Sequence, residues 1–166
     1  MQGHLNPNWN IDQFKSLNYT LDHHKDTQLI DKYVAAGHDS KSMQMRYCFE
    51  NQLSSVNNTY IRNHFKSLDN LALAVNLFTP GQYLPLHYDL YQQYRSVFKL
   101  NGSEKITRII LMLEDSSPGQ ILQIENRVVG NWIAGDWFEW SGNELHAFYN
   151  FSMVDRYAIQ ITGTKC

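Results

Sequence analysis

A short extended segment near the middle of the chain reads Leu84-Pro85-Leu86-His87-Tyr88-Asp89. It follows a turn signal, Pro80-Gly81, so we expect a β-strand that begins just after this turn. His87 and Asp89 are two positions apart, and residues i and i+2 of a strand point to the same side. An imidazole and a carboxylate would then project together, about 6–7 Å apart along the strand. They are two members of a 2-His-1-carboxylate facial site, which binds iron(II) and leaves coordination positions open.

The sequence around this segment predicts a series of short strands. An apolar run, residues 71–78, precedes the segment, and clusters of turn residues divide the sequence after it. The predicted strands after the run are Tyr83–Leu90, Thr107–Leu113, Gln120–Glu125, Arg127–Trp132, Trp137–Trp140, Leu145–Phe151 and Arg156–Thr162. Eight strands without intervening helices favour a double-sheet jelly roll or a barrel. We therefore expect a mainly β fold with one of these two architectures.

The first 70 residues have a different pattern. Apolar residues recur with helical spacing in residues 26–37 and again in residues 57–68. Alternating apolar residues favour a strand within residues 41–55, and residues 1–25 are interpreted as a covering segment with little regular structure. The adjacent pair His23-His24 is a poor chelate, because neighbouring side chains diverge.

Length and composition fit a single globular domain. The chain has 166 residues, 43% of them apolar, and a net charge of −2. We expect one domain, 1–166, in which a helical section, 1–70, packs on one sheet of a jelly-roll core, 71–166. The near-neutral charge predicts no general attraction to nucleic acid or to an anionic membrane.

Cysteine usage and hydropathy bear on the cellular setting. Cys48 and Cys166 form no CxxC motif and imply no disulfide framework, so a reducing, cytoplasmic location is expected. The first ten residues lack an apolar segment, which predicts no signal peptide, and no run is long enough to span a bilayer. The sequence does not indicate an oligomeric state.

Two residues late in the chain complement His87 and Asp89. His146 follows the turn Ser141-Gly142-Asn143 and opens a predicted strand, so it can supply the third ligand. Arg156 opens the last predicted strand ten residues later. A buried arginine needs an anion, and the guanidinium fork matches a carboxylate. A simple ion pair of Arg156 with Asp155 or Glu144 is the alternative.

The order His87-x-Asp89, His146, Arg156 resembles the motif of the iron(II)/2-oxoglutarate-dependent dioxygenase superfamily, over roughly residues 71–164. The resemblance implies a cupin-like double-stranded β-helix, the jelly-roll alternative above. It also implies that His87, Asp89 and His146 bind Fe(II) and that Arg156 pairs with the distal carboxylate of 2-oxoglutarate. The ketoacid end of this co-substrate would chelate the metal and leave one position for O2. The implied activity is hydroxylation of an unactivated C–H bond of a peptide side chain or small molecule, with release of succinate and CO2.

Within this superfamily, the segment from Trp140 to Arg156 is most similar to the aspartyl/asparaginyl β-hydroxylase-like branch. This similarity implies that Arg108 is a second carboxylate contact, although the branch usually has a histidine where this chain has Ile110. Arg108 is equally consistent with a surface position on its strand. Three further candidates to hydrogen-bond the co-substrate are Tyr83, Asn76 and Asn150.

Other interpretations of the sequence stay open. One alternative is a cupin-like metal enzyme that does not use 2-oxoglutarate, and another is a non-catalytic jelly-roll binding protein. The long segment 91–106 is a candidate lid over the site. Tyr88, Tyr91, Tyr94 and Trp137 line a substrate pocket in one reading and belong to the core in the other.

Overall fold

The chain folds into two antiparallel β-sheets that face each other. This computed structural model describes residues 1–23 and 26–165, without the side chain of His23. The strands are β1 (Gln2–His4), β2 (Thr20–His23), β3 (Gln44–Phe49), β4 (Asp69–Phe78), β5 (Tyr83–His87), β6 (Lys105–Met112), β7 (Gln120–Ile124), β8 (Arg127–Val129), β9 (Asp136–Ser141), β10 (His146–Asn150) and β11 (Arg156–Lys165). The larger sheet has seven strands in the order β1-β9-β6-β11-β4-β3-β2, and the smaller has four in the order β5-β10-β7-β8.

Four helices accompany the strands: α1 (Ile11–Lys15), α2 (Thr27–Ala35), α3 (Ser55–His64) and α4 (Gln92–Phe98). Two single-turn 3-10 helices, Ser40–Ser42 and Glu50–Gln52, flank β3. None of the helices within the described residues has both the length and the apolar character needed to cross a bilayer. The prediction for the pair His23-His24, and Cys166, lie outside what the structure describes.

The predicted fold class is confirmed: the molecule is mainly β and has the two-sheet arrangement of a jelly roll. Each predicted strand is present, with different ends. The strand that carries His87 stops at that residue, so Asp89 lies two residues beyond it. The strand after the turn at 125–126 is only three residues long, because its residues are largely exposed and it pairs on one side only.

The N-terminal section differs from the prediction, because it adds strands to the larger sheet as well as helices. Residues 1–25, predicted to have little regular structure, contain β1, α1 and β2. The short strand β1 has no apolar alternation and is held by its register on β9 and by the Leu5 amide, which donates to the Gly135 carbonyl at 2.9 Å. Gly135 has φ +91°, and a Cβ there would lie 2.1 Å from the Leu5 carbonyl oxygen, so only glycine permits this approach.

Alternation along the central strands produces two apolar layers. Ile109 and Leu111 of β6 point to one face, where α1, α3 and the segments around them cover the larger sheet. Ile110 and Met112 point to the other face, between the two sheets, where they pack with Leu122 and other residues of the smaller sheet. The space between the sheets is where a jelly roll places its ligands, and the candidate site lies there.

Candidate metal centre

The two predicted histidine ligands lie opposite each other on neighbouring strands. His146 of β10 pairs in register with His87 of β5, and their ring centres are 4.3 Å apart. Both rings are buried, and Asp89 lies beside them at the end of β5. One ligand atom from each of the three residues can be chosen so that all lie within 4.8 Å of one another. The structure therefore brings the whole predicted triad together.

Backbone carbonyls orient the two imidazoles. Nδ1 of His87 lies 2.7 Å from the Pro85 carbonyl oxygen, and Nδ1 of His146 lies 3.1 Å from that of Glu144. A carbonyl only accepts hydrogen bonds, so each Nδ1 must carry the proton and donate it. In the neutral rings Nε2 then carries the lone pair, and both Nε2 atoms face Asp89. Nε2 of His87 lies 3.9 Å from Oδ1 of Asp89, and Nε2 of His146 lies 3.6 Å from Oδ2. Metal-binding histidines are commonly oriented in this way.

Arg108 controls the charge of Asp89. Its Nε and Nη2 donate to Oδ2 of Asp89 at 3.0 and 2.7 Å, and its Nη1 donates to Thr162 Oγ1 at 2.6 Å. Burial raises the pKa of Asp89, but the charge and hydrogen bonds of Arg108, with the two neighbouring imidazoles, outweigh burial and hold the pKa well below its usual range. Asp89 is therefore a carboxylate at neutral pH, the form that a metal ligand needs.

The donor set fits a divalent metal. Two imidazole nitrogens and one carboxylate oxygen are the ligands that non-heme iron(II) sites use, and three protein ligands leave other coordination positions open. The Trp140 ring lies 4.8 Å from the His146 ring and covers one side of the triad. Trp140 carries no ligand-type signal in the sequence, although its alternation with Phe138 places both side chains between the sheets.

Arg156 lies in the same inter-sheet layer and has the environment of a buried cation without a counterion. Its side chain is only 3% exposed, and its guanidinium carbon lies 5.1 Å from the Trp132 and Phe148 ring centres and 5.7 Å from that of Phe78. One guanidinium nitrogen contacts the sulfur of Met112 at 3.6 Å. The other two, Nε and Nη1, have no hydrogen-bond partner within the described chain.

The alternative ion pairs of Arg156 do not form among the described residues. Glu144 accepts from the Ser141 amide, and Asp155 accepts from the Tyr157 hydroxyl. Burial lowers the pKa of Arg156 to about 9, because no nearby anion offsets the loss of hydration. A buried, unpaired guanidinium of this kind is unfavourable on its own, since buried charges are normally paired.

One aromatic ring links Arg156 to the metal triad. The Phe148 ring centre lies 5.1 Å from the Arg156 guanidinium carbon and 5.9 Å from the His146 ring centre. A ligand that contacts the metal and Arg156 at once would lie along this ring.

The structure places the other predicted co-substrate contacts in varied surroundings. Tyr83 lies on the outer face of the smaller sheet, where its hydroxyl bonds His38 Nδ1 at 2.8 Å, because it is one position away from the inward-facing Leu84. Asn76 is buried in the larger sheet and bonds Gln160, and its Oδ1 has no partner within the described chain. Arg108 is held by Asp89 and Thr162, as described above, and is buried, not on the surface.

Asn150 has no polar capacity left for a co-substrate. Its amide nitrogen donates to the Phe78 and Val154 carbonyls at 2.7 and 2.9 Å, and its oxygen accepts from the amide and the hydroxyl of Ser152. It therefore organises the turn between β10 and β11 that leads to Arg156. Sequence spacing alone could not separate this role from a ligand contact.

The structure also shows where the predicted lid segment and the aromatic residues predicted to line a pocket lie. The segment 91–106 contains α4, and the Tyr91 ring at its start lies 4.9 Å beneath the Arg108 guanidinium carbon. Tyr91 has φ 52°, an unusual value for a bulky residue. Trp137 lies on the outer face of the larger sheet against Phe65, away from the triad. Residues missed at the sequence level are Thr162, Trp132, Trp140 and Phe148.

Comparison with known proteins gives only distant structural similarities. No protein-family model matches the chain, and no curated protein does. Among solved structures, a prolyl-4-hydroxylase from Pseudomonas putida is similar with a TM-score of 0.49 and 12% identity, covering 94% of this chain and 97% of its own. The Cnp3 cupin domain of Schizosaccharomyces pombe has a TM-score of 0.49 and 7% identity, covering 92% and 72%.

A predicted oxalate decarboxylase from Thermotoga maritima is also similar, with a TM-score of 0.45, 15% identity and coverage of 73% and 81%. At these identities the likeness concerns the fold alone. None of these similarities favours the aspartyl/asparaginyl β-hydroxylase-like branch. The chain itself shows a two-sheet jelly-roll arrangement and a His-Asp-His group that could hold a metal ion.

Proposed function

We propose that this protein is an iron(II)- and 2-oxoglutarate-dependent oxygenase that hydroxylates a C–H bond of a small molecule or a peptide side chain. The observation that carries the proposal is Arg156, whose Nε and Nη1 are buried without a partner in the described chain. This guanidinium lies across the Phe148 ring from His146. A metal site alone does not require such a cation, whereas a dicarboxylic ketoacid bound to the metal does.

The residues of the chain would have distinct roles. His87 and His146 would bind iron through Nε2, and Asp89 would bind it as a carboxylate, which leaves one net positive charge on the site. The bound metal and ketoacid would supply the oxidising chemistry, with O2 as the oxidant. In it 2-oxoglutarate loses CO2 and gains one oxygen atom to become succinate, and the other oxygen atom enters the substrate as a hydroxyl group. Arg156 would fix the distal carboxylate and so orient the ketoacid, and the rings of Trp140 and Phe148 would exclude water.

Assignment to the aspartyl/asparaginyl β-hydroxylase-like branch stays a prediction from the sequence order of His146, Asn150 and Arg156. A cupin-like metal enzyme that does not use a ketoacid is compatible with the triad taken alone. The unpaired guanidinium of Arg156 favours the ketoacid-dependent enzyme over this alternative and over a non-catalytic binding protein.

Two measurements test the proposal. In the first, 2-oxoglutarate is titrated calorimetrically into protein loaded anaerobically with iron(II). We expect Arg156→Met to retain the metal and to lower the affinity for 2-oxoglutarate by roughly 30-fold or more, since a charge-assisted pair contributes about 2–3 kcal/mol. His87→Ala should lose the metal, whereas His64→Ala, a histidine of α3 far along the chain from the triad, should retain both ligands.

In the second measurement, succinate formation in air is followed with a panel of amino acids and peptides. A member of the panel that stimulates succinate formation identifies the substrate class. If 2-oxoglutarate binds wild-type protein and Arg156→Met equally well, the assignment of Arg156 is wrong. If iron binds but activity toward any substrate is insensitive to 2-oxoglutarate, the cupin-like alternative is preferred.

A further inference from the structure

A second opening in the molecule leads to Arg156 from the end opposite the metal triad. Arg108 lies near the beginning of β6 and reaches Asp89, whereas Met112, which contacts Arg156, is the last residue of the same strand. At that far end a pocket of about 560 Å³ lies between the start of β11 and the turns around residues 114–117 and 153–155. Arg156 and Trp132 line this pocket, and the three metal ligands do not.

The lining of this far-end pocket has its cation deep inside and its carboxylates at the rim. Arg156 is 3% exposed and supplies two nitrogens without a partner within the described chain. The rim carries Glu114, Asp115 and Asp155, against one ammonium group, that of Lys15. Lys15 pairs with Glu114 at 2.9 Å, so the rim keeps an excess of negative charge.

The rest of the lining is mixed. Trp132, Pro80 and Val154 contribute aromatic and aliphatic surface to the pocket, and Ser117 and Gln120 contribute polar groups. A purely anionic molecule would be attracted by Arg156 and repelled by the rim carboxylates. A molecule with a carboxylate at one end, a short aliphatic chain and an ammonium group at the other would meet a complementary charge at each end.

We propose that the far-end pocket binds a small ω-amino carboxylate, with its carboxylate on Arg156 and its ammonium group among the rim carboxylates. Because the ligand uses the guanidinium that we assign to 2-oxoglutarate, the two molecules would exclude each other. Occupancy of the far-end pocket would then inhibit the oxygenase. The binding itself does not depend on the proposed activity; only the competition does.

The test uses metal-free full-length protein and three probes that differ only in their end groups: 5-aminopentanoate, pentanoate and pentylamine. In calorimetric titrations we expect 5-aminopentanoate to bind at least tenfold more tightly than either of the other two. Arg156→Met should lower the affinity for 5-aminopentanoate at least tenfold. If 5-aminopentanoate binds no more tightly than pentylamine, or binds Arg156→Met as well as wild type, the proposal is overturned.

A variant at the exposed rim keeps the test independent of folding. Asp155→Asn should reduce the preference for 5-aminopentanoate over pentanoate, whereas the matched control Asp31→Asn, on the exposed side of α2, should not change it. An unchanged preference in Asp155→Asn contradicts the assigned orientation.

His87→Ala separates this proposal from the proposed function. The variant should bind 5-aminopentanoate as wild type does, although it should lose iron-dependent binding of 2-oxoglutarate. In the iron-loaded wild-type protein, saturating 5-aminopentanoate should lower the apparent affinity for 2-oxoglutarate at least tenfold. If the wild-type protein binds 5-aminopentanoate but does not bind 2-oxoglutarate even when loaded with iron, the far-end pocket is supported and the oxygenase assignment is contradicted.

Discussion

Arg108 directs two nitrogens to a single oxygen of Asp89: Nε at 3.0 Å and Nη2 at 2.7 Å both contact Oδ2. Because Oδ2 accepts two charge-assisted hydrogen bonds, Oδ1 is the better placed oxygen for a metal, and it lies 3.9 Å from His87 Nε2. Arg108 would therefore favour coordination of a metal ion through one oxygen of Asp89. This mode would keep further coordination positions open.

Substitution of Arg108 should weaken the metal site. Arg108→Lys keeps the positive charge but cannot contact Asp89 and Thr162 together, so the carboxylate loses its fixed orientation. We expect about 10–100-fold weaker metal binding, the usual effect of losing such a supporting contact. The measurement is competition for cobalt(II) with a chromophoric chelator. Arg127→Lys, at an exposed position in β8, is the control, and equal affinities in the two variants would contradict this role.

Removal of the buried charge at position 156 should stabilise the ligand-free protein. Arg156 lies among Phe78, Trp132 and Phe148 without a counterion in the described chain, and methionine has a similar length without the charge. We expect Arg156→Met to increase the free energy of unfolding by about 1 kcal/mol or more, since replacing buried charges by apolar groups is often stabilising by 1–4 kcal/mol. Urea denaturation of both proteins without added anions measures this difference. A destabilised Arg156→Met protein would indicate that the guanidinium has a structural partner.

The strands of the core could be predicted because each carries its own signal. Ile109 and Leu111 alternate with Ile110 and Met112, and this pattern identifies a strand that is covered on both faces. The strand β1 gives no such signal, since Gln2–His4 is short and polar, and it forms only because β9 offers an edge. Such pairing depends on tertiary context, which the local sequence does not contain.

The candidate site also has parts that the sequence could predict and parts that it could not. The triad could be predicted because the spacing of His87 and Asp89 and the turn before His146 are local features. The partner of Arg108 could not be predicted, because nothing in the sequence near position 108 indicates which carboxylate will lie opposite it. For Tyr83, the face of the strand decided the outcome: a shift of one position from Leu84 moves the side chain outside the sheet pair.

The stability difference between wild type and Arg156→Met should depend on pH. The folded-state pKa of Arg156, about 9, lies below the ordinary value of 12.5, so the fold disfavours the cation. This destabilisation is fully present below pH 9 and is relieved as pH rises through 9, because the folded protein can then release the proton. We expect the advantage of Arg156→Met in urea denaturation to be constant from pH 7 to 8 and to decrease between pH 9 and 10. A difference that does not change with pH would show that Arg156 stays fully charged over this range.

Asn150 should be needed for the fold of the anion site and not for contact with a ligand. Its side chain bonds the Phe78 and Val154 carbonyls and accepts from Ser152, all in buried surroundings. Asn150→Ala leaves several of these groups without partners, at a cost of about 1–3 kcal/mol for each buried group. We therefore expect a loss of at least about 2 kcal/mol in urea denaturation, together with weaker anion binding because the turn before Arg156 is no longer held. Asn101→Ala, in the exposed loop before β6, is the control, and an Asn150→Ala protein of wild-type stability that had lost only ligand affinity would restore Asn150 as a direct contact.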